Sequence, residues 1–293
     1  MDKVIFQKPD TVLLSRLGFT CVDMHCHSIH SDSSNRVKDL LTKATKRNFG
    51  LALTDHNAIG GCVDACSRIK EALVIPGIEV SSKEGPHMLV YFYNVSELKE
   101  FYAKSIQNCK SRNPYLETTV PMDELLAASK RYNCFLSAAH PYGTGFQGIQ
   151  KSILNNDMPR SVLDRIDCIE VICGNDSHSR NVKAARLAEV LKKPFTAGSD
   201  GHRLAAVGSC VVVAQANTVE GFLDAVKAGK AYAIGKEARM ISRFSATTIR
   251  KHLRYFRGTT SSLNTMLRRN ISYYKPLGGI KQRIIRKLKV HRH

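Results

Sequence analysis

Residues 19–32 read Phe19-Thr20-Cys21-Val22-Asp23-Met24-His25-Cys26-His27-Ser28-Ile29-His30-Ser31-Asp32, a short apolar run that ends in a histidine-rich polar cluster. Phe19 to Met24 reads as a strand. Side chains two apart on extended backbone face the same way, so His25 and His27 present two imidazoles to one side. Cys26 lies between them, turned away, and is not a candidate nucleophile. Asp32 brings a hard oxygen donor into the same loop.

Outward from this stretch, short apolar runs alternate with amphipathic ones from residue 20 to about 215. Asn35 is placed to cap a helix whose apolar positions Val37, Leu40, Leu41 and Ala44 recur at three and four, with Gly50 placed to stop it. Leu51–Leu53 is a strand and Gly61–Ile69 a helix. Strands follow at Leu73–Val80 and His87–Tyr93, then a helix at Met122–Arg131 and a strand at Cys134–Ala138. Asp167–Cys173 is a strand, Asp176–Leu191 a helix and Pro194–Ala197 a strand, and Val207–Ala214 closes the series. This order implies an α/β fold with a mainly parallel sheet, either open or closed into a barrel.

Polar groups gather just after strand after strand: His25 and His27, Asp55 and His56, Glu79, His140, Asn175, Asp200 and His202. In a barrel the C-terminal strand ends share one face, so residues far apart in sequence converge there. Imidazole and carboxylate without thiolate suit Zn²⁺, Mn²⁺ or Fe²⁺. The set is large enough for two or three ions, with a carboxylate such as Glu79 bridging. Each histidine alone reads as an ordinary core or surface residue, but the repeated placement at strand ends is hard to obtain from core packing. Gly60-Gly61 and Gly143-Thr144-Gly145 lack the spacing of phosphate-binding loops and read as turns.

In this order the motifs Asp23-x-His25-x-His27-Ser28-x-x-Ser31-Asp32, Thr54-Asp55-His56, Pro76-Gly77-Ile78-Glu79, His87-x-Leu89-x-Tyr91-Phe92, His140-Pro141 and Gly198-Ser199-Asp200-x-His202 resemble those of the PHP (polymerase and histidinol phosphatase) family, over about residues 19–214. The resemblance implies a distorted (β/α)7 barrel, a three-metal site and phosphoester hydrolysis by metal-activated hydroxide. It implies one ion at His25, His27, Glu79 and Asp200, a second at Glu79, His87 and His140, and a third at Asp32, His56 and His202. The catalytic weight then falls on Asp200, His202 and Glu79. All nine ligand positions are filled, unlike those of metal-depleted PHP scaffolds. His30 and His178 fall outside the pattern and read as surface residues.

Around these ligands, Asp23 and Asp55 read either as acceptors that orient imidazoles or as turn caps. Lys83, Arg180 and Arg203 follow ligand-bearing segments and read either as contacts to a substrate phosphate or as solvated charges. Asn175 either shapes the pocket or makes a turn.

The chain has 293 residues and a formal charge of +19, unevenly spread. Residues 236–293 hold 16 Lys and Arg against one acid, Glu237, while residues 1–235 carry only +4. The expected division is a catalytic barrel over 1–235 and a basic, mainly helical extension over 236–293. In the extension Ile280, Ile284, Ile285 and Leu288 make an amphipathic repeat, and the stretch from Thr247 to Arg257 is basic with Tyr255 and Phe256. Three readings compete for it: a solvated or packed extension, nucleic-acid contact, and attachment to an anionic membrane surface. No run approaches the roughly 18–20 apolar residues of a membrane span. The nine cysteines include no C-x-x-C pair, and the first residues lack a secretory pattern, so the expected compartment is the cytoplasm. The expected substrate is a nucleotide or oligonucleotide. The alternatives are a small-metabolite phosphatase of the histidinol-phosphate type and a non-catalytic nucleic-acid or membrane adaptor.

Overall fold

A computed structural model describes residues 2–68, 72–111, 113, 116–145 and 147–237. The amphipathic repeat expected at 280–288 and the basic stretch 247–257 lie outside these residues. The described part is a mixed α/β fold with two sheets. The first contains β1 (Val4–Ile5), β2 (Thr20–Cys26), β3 (Gly50–Leu53), β4 (Val74–Ile75), β10 (Cys210–Ala214) and β11 (Tyr232–Gly235), in the order β1-β11-β10-β2-β3-β4. The second runs β5 (Gly77–Ser81), β6 (His87–Phe92), β7 (Cys134–Ala138), β8 (Cys168–Cys173) and β9 (Phe195–Gly198) in simple succession.

Helices α1 (Thr11–Arg16), α2 (Val37–Lys46), α3 (Gly60–Ser67), α4 (Val95–Phe101), α5 (Met122–Ser129), α6 (Ile149–Leu154), α7 (His178–Val190) and α8 (Val219–Lys227) lie between the strands. Strands β3, β5, β6 and β8 are buried along their whole length, the burial expected of strands covered on both faces.

The pairing is less parallel than alternation suggests. β2-β3-β4 and β7-β8-β9 are parallel, but β6 and β10 each run antiparallel to both neighbours. The series also continues past Ala214, since α8 returns the chain to β11, which pairs with both β10 and β1. The run Leu73–Val80, read as one strand, is two. Pro76 has no N–H to give a ladder, and the chain passes there from β4 in the first sheet to β5 in the second.

Two parallel bridges tie the sheets together at the strand ends, Cys26 with Gly201 and His56 with Glu79. At the first, Asp200 N donates to His25 O at 2.7 Å. At the second, Asn57 N donates to Glu79 O at 2.8 Å. Gly198 permits the first approach, since a Cβ there would stand 2.3 Å from His25 Cβ.

Helix α2 buries Val37, Leu40, Leu41 and Ala44 as its spacing requires, but its ends differ from expectation. Arg36, not Asn35, is the N-cap, and it makes no side-chain cap bond. Asn35 is buried and donates through Nδ2 to His27 O at 3.1 Å and Gly201 O at 3.0 Å. Gly50 does not end the helix, which stops at Lys46. It opens β3, where a Cβ would lie 2.6 Å from Leu73 O.

Candidate metal centre

The strand ends gather all nine sequence-predicted donors in one place. His25 and His27 come from the end of β2 and the residue after it, Asp32 from the following loop, and His56 from the segment after β3. Glu79 sits in β5, His87 opens β6, His140 follows β7, and Asp200 and His202 follow β9. Donor atoms lie within 4.8 Å of one another in four groups: His27, Asp32, His56 and His202; His25, His27 and Asp200; His25, Glu79 and His140; His56, Glu79 and His87.

Glu79 is the hub. Its carboxylate is fully buried. Oε1 is hydrogen-bonded to His87 Nδ1 at 2.9 Å and to His140 Nε2 at 3.1 Å. Oε2 is ringed by His56 Nδ1 at 2.9 Å, His25 Nε2 at 3.3 Å and His27 Nε2 at 3.5 Å. Yet Glu79 Oε2, His56 Nδ1 and His25 Nε2 make no hydrogen bond, although all are buried. Buried polar atoms are nearly always satisfied, so several converging on one point without hydrogen bonds fit a cation between them. On the other side, His202 Nε2 meets Asp32 Oδ2 at 2.9 Å and His27 Nε2 meets Asp200 Oδ1 at 3.0 Å.

The donor groups do not coincide with the ligand sets that the resemblance implied. His27 joins Asp32, His56 and His202, while His87 and His140 share Glu79 Oε1 but fall in separate groups. Two donors sit on strained backbone, His140 at φ 28° and Asp200 at φ 48°, a conformation that concentrates at functional sites.

Titration follows from this crowding. Burial alone pushes a carboxyl up, but the surrounding imidazoles overcome it and hold Glu79, Asp200 and Asp32 below the carboxylate range. Burial pushes an imidazole down, and against it Glu79 and Asp32 raise His56 to about 9, while Asp32 and Asp200 raise His202 to about 10. His87 follows burial and falls to about 4, and His27 is also lowered by burial and by His202 and His56.

Asp23 and Asp55 do not meet imidazole rings. Asp23 accepts from the backbone N–H groups of Ser199 at 2.8 Å and Gly208 at 2.7 Å, fastening the β9–β10 connection that carries Asp200 and His202. Asp55 accepts from Ser28 N at 2.7 Å and from the Ser28 and Ser31 hydroxyls, both at 2.6 Å. Each therefore holds a loop, as the turn-cap reading has it. Outside the nine donors, a carboxylate that does meet a ring of the cluster is Glu170, which sequence reasoning missed. Its only signal was a charged residue inside the apolar run Cys168-Ile169-Glu170-Val171-Ile172-Cys173. Asn175 Nδ2 donates to Asp200 Oδ2 at 3.3 Å.

Of the three cations, Lys83 is exposed just beyond β5, Arg203 is partly buried beside His202, and Arg180 pairs with Asp176 at 2.8 Å. His30 is exposed, and His178 is 63% exposed, edge-on to Phe6 and 3.1 Å from Glu237. Cys26 is turned from the centre, its thiol donating to Ala52 O at 3.4 Å. Among the described residues no helix is long and apolar enough to cross a membrane.

A mixed α/β frame thus carries, at its strand ends, clustered His, Asp and Glu donors that could hold metal ions. The PHP domain model matches residues 23–175 and the PHP-associated model residues 178–231, so the chain belongs to the PHP family. No curated protein matches the chain. Solved structures share its fold at low identity. A protein from Bifidobacterium adolescentis, predicted to be a metal-dependent phosphoesterase, is 18% identical with TM-score 0.50, covering 76% of this chain and 98% of that one. The lesion-specific endonuclease Q of Pyrococcus furiosus is 16% identical with TM-score 0.59, covering 73% of this chain and 57% of its own. Endonuclease Q complexed with a 27-mer duplex bearing an abasic lesion at the active site gives 15%, 0.60, 75% and 60%.

Proposed function

We propose that this chain hydrolyses phosphoesters of nucleotides or oligonucleotides with two or three divalent ions (Mn, Fe or Zn) held by His25, His27, Asp32, His56, Glu79, His87, His140, Asp200 and His202. The observation that carries the reading is Glu79 Oε2, fully buried, surrounded by three imidazoles and without a hydrogen bond. When bound, the ions would lower the pKa of water and neutralise phosphate charge. Glu79, with both oxygens turned to histidines, joins the donor sets. Asp200 and His202, with side chains 12% and 29% exposed, form the accessible rim that a substrate meets first. Lys83 and Arg203 are the cations we assign to the substrate phosphate. Arg180, already paired with Asp176, is the weakest of the three assignments.

The distorted barrel belongs to the same reading. The bridges Cys26–Gly201 and His56–Glu79 support a closed circuit of β2, β3, β5, β6, β7, β8 and β9. The division into a catalytic unit over 1–235 and an extension over 236–293 accords with the PHP-associated match ending at residue 231. Nine free cysteines agree with a reducing compartment, the cytoplasm.

Two observations favour a nucleic-acid substrate. Endonuclease Q, whose fold is similar, is a lesion-specific endonuclease that takes a 27-mer duplex substrate. Residues 238–293 hold 15 Lys and Arg and no acid. Glu237, the residue before them, is tied toward the centre: its Oε1 accepts from Asn181 Nδ2 at 3.1 Å, and Asn181 accepts from Cys173 N at 3.1 Å. Cys173 Sγ faces Asp200 Oδ2 at 3.7 Å.

The test is reconstitution. The purified chain supplied with Mn²⁺, Fe²⁺ or Zn²⁺ should bind more than one equivalent and hydrolyse bis-p-nitrophenyl phosphate and short oligonucleotides. A chain that takes up no ion and leaves these esters intact overturns the proposal.

A further inference from the structure

Glu170 lies inside β8, 1% exposed, and both of its carboxylate oxygens face candidate ligands. Oε1 is 2.9 Å from His25 Nδ1, and Oε2 accepts from the backbone N–H of His140 at 2.6 Å. One carboxylate thus joins the imidazole at the end of β2 to the residue after β7 whose φ is 28°. His25 Nε2, the other ring nitrogen, has no hydrogen bond and lies 3.3 Å from Glu79 Oε2 and 3.7 Å from Asp200 Oδ1.

We infer that Glu170 is the positioning residue of the centre: it holds the proton of His25 on Nδ1, keeps the Nε2 lone pair directed at the ion, and locks the His140 turn. The inference rests on the metal-centre reading above and adds to it a residue that is not itself a ligand. The chemistry is specific to a carboxylate. Glu170 presents one oxygen to the backbone N–H of His140 and the other to His25 Nδ1, and only a group with two acceptor oxygens can accept from both nitrogens. A backbone N–H cannot give up its proton, so in Glu170→Gln the amide oxygen must turn to His140. The amide NH₂ then faces His25 Nδ1, which has to accept. That tautomer carries its proton on Nε2 and has no lone pair there for the ion. The substitution preserves volume, so the fold is kept while the ligand is turned off.

The experiment measures Zn²⁺ affinity by chelator competition in the full chain and in E170Q. Loss of an outer partner of a ligand histidine costs roughly 10–100-fold in metal affinity. The expected result is a loss of this size for one ion, with the melting temperature of the metal-free protein unchanged. Equal affinity in the two proteins overturns the inference. Should E170Q fail to fold, the wild type still decides it: in the Zn²⁺-loaded protein, ¹⁵N spectra of the His25 ring should show a protonated Nδ1 and a metallated Nε2. The opposite tautomer overturns the inference. If the wild type itself takes up no Zn²⁺, the metal-centre reading fails, an outcome distinct from either of these.

Discussion

His56 and Glu79 meet twice: their backbones form a parallel bridge between the sheets, and His56 Nδ1 stands 2.9 Å from Glu79 Oε2. One of the two bridges that join the sheets is therefore part of the donor cluster, and what happens to Glu79 reports on both. Glu79→Gln replaces one acceptor oxygen with an NH₂ directed at imidazole nitrogens. Metal content should fall, and hydrolysis of bis-p-nitrophenyl phosphate should drop at least about 100-fold, consistent with loss of charge stabilisation at the reacting phosphate. Metal analysis and initial rates check this. Near-normal turnover would remove Glu79 from the site.

Metal uptake should release protons. In the metal-free chain the carboxylates around His56 and His202 hold these rings near 9 and 10, so both are charged at pH 7. A ligand imidazole must be neutral, and the displaced protons go to buffer. Titration calorimetry at pH 7 in buffers of different ionisation heat should show net release, and affinity should rise with pH.

The same shifts set the stability of the metal-free chain. Both folded values are raised above the unfolded value of about 6.5. Their contribution is therefore fully present below that value and is lost as pH climbs through 9 and 10. Chelator-treated protein should melt at progressively lower temperature across that window, and a flat profile would contradict the shifts.

Asn35→Ala should destabilise more than a surface substitution, because it removes the donor to the buried carbonyl of His27 and one of the two donors to Gly201 O, the other being His27 N. Leaving such groups unsatisfied costs about 1–3 kcal/mol. For a chain of this size that is a fall in melting temperature of roughly 2–4 °C per kcal/mol. Calorimetry measures it, and an unchanged melting temperature would show that the tie carries no energy.

Deleting residues 238–293 removes 15 positive charges and should weaken oligonucleotide binding and flatten its salt dependence. Turnover of bis-p-nitrophenyl phosphate should persist, since the nine donors all precede the deletion. Binding to anionic vesicles lost on the same deletion, with oligonucleotide affinity intact, would instead assign the segment to a membrane surface.

Local pattern made much of this legible. The H-x-H stretch at 25–27, the acids and histidines after successive apolar runs, and the three-and-four spacing of α2 are read directly, because strand alternation and helical period are properties of adjacent residues. The strand at 134–138 carries the same bounds in the sequence and in the fold. Pairing direction was not legible, since apolar runs look alike whether a neighbour runs parallel or antiparallel. The passage from sheet to sheet at Pro76 was hidden for the same reason.

By itself the sequence carried the α/β class, the nine residues whose donor atoms cluster in the fold, and the uneven charge of residues 1–235 and 236–293. Only the tertiary structure decided which donors share an oxygen, that Asn35 ties loops rather than capping a helix, and that Glu170 faces His25. Those relations join residues up to 166 positions apart, and only the packing of the two sheets brings them within hydrogen-bond reach.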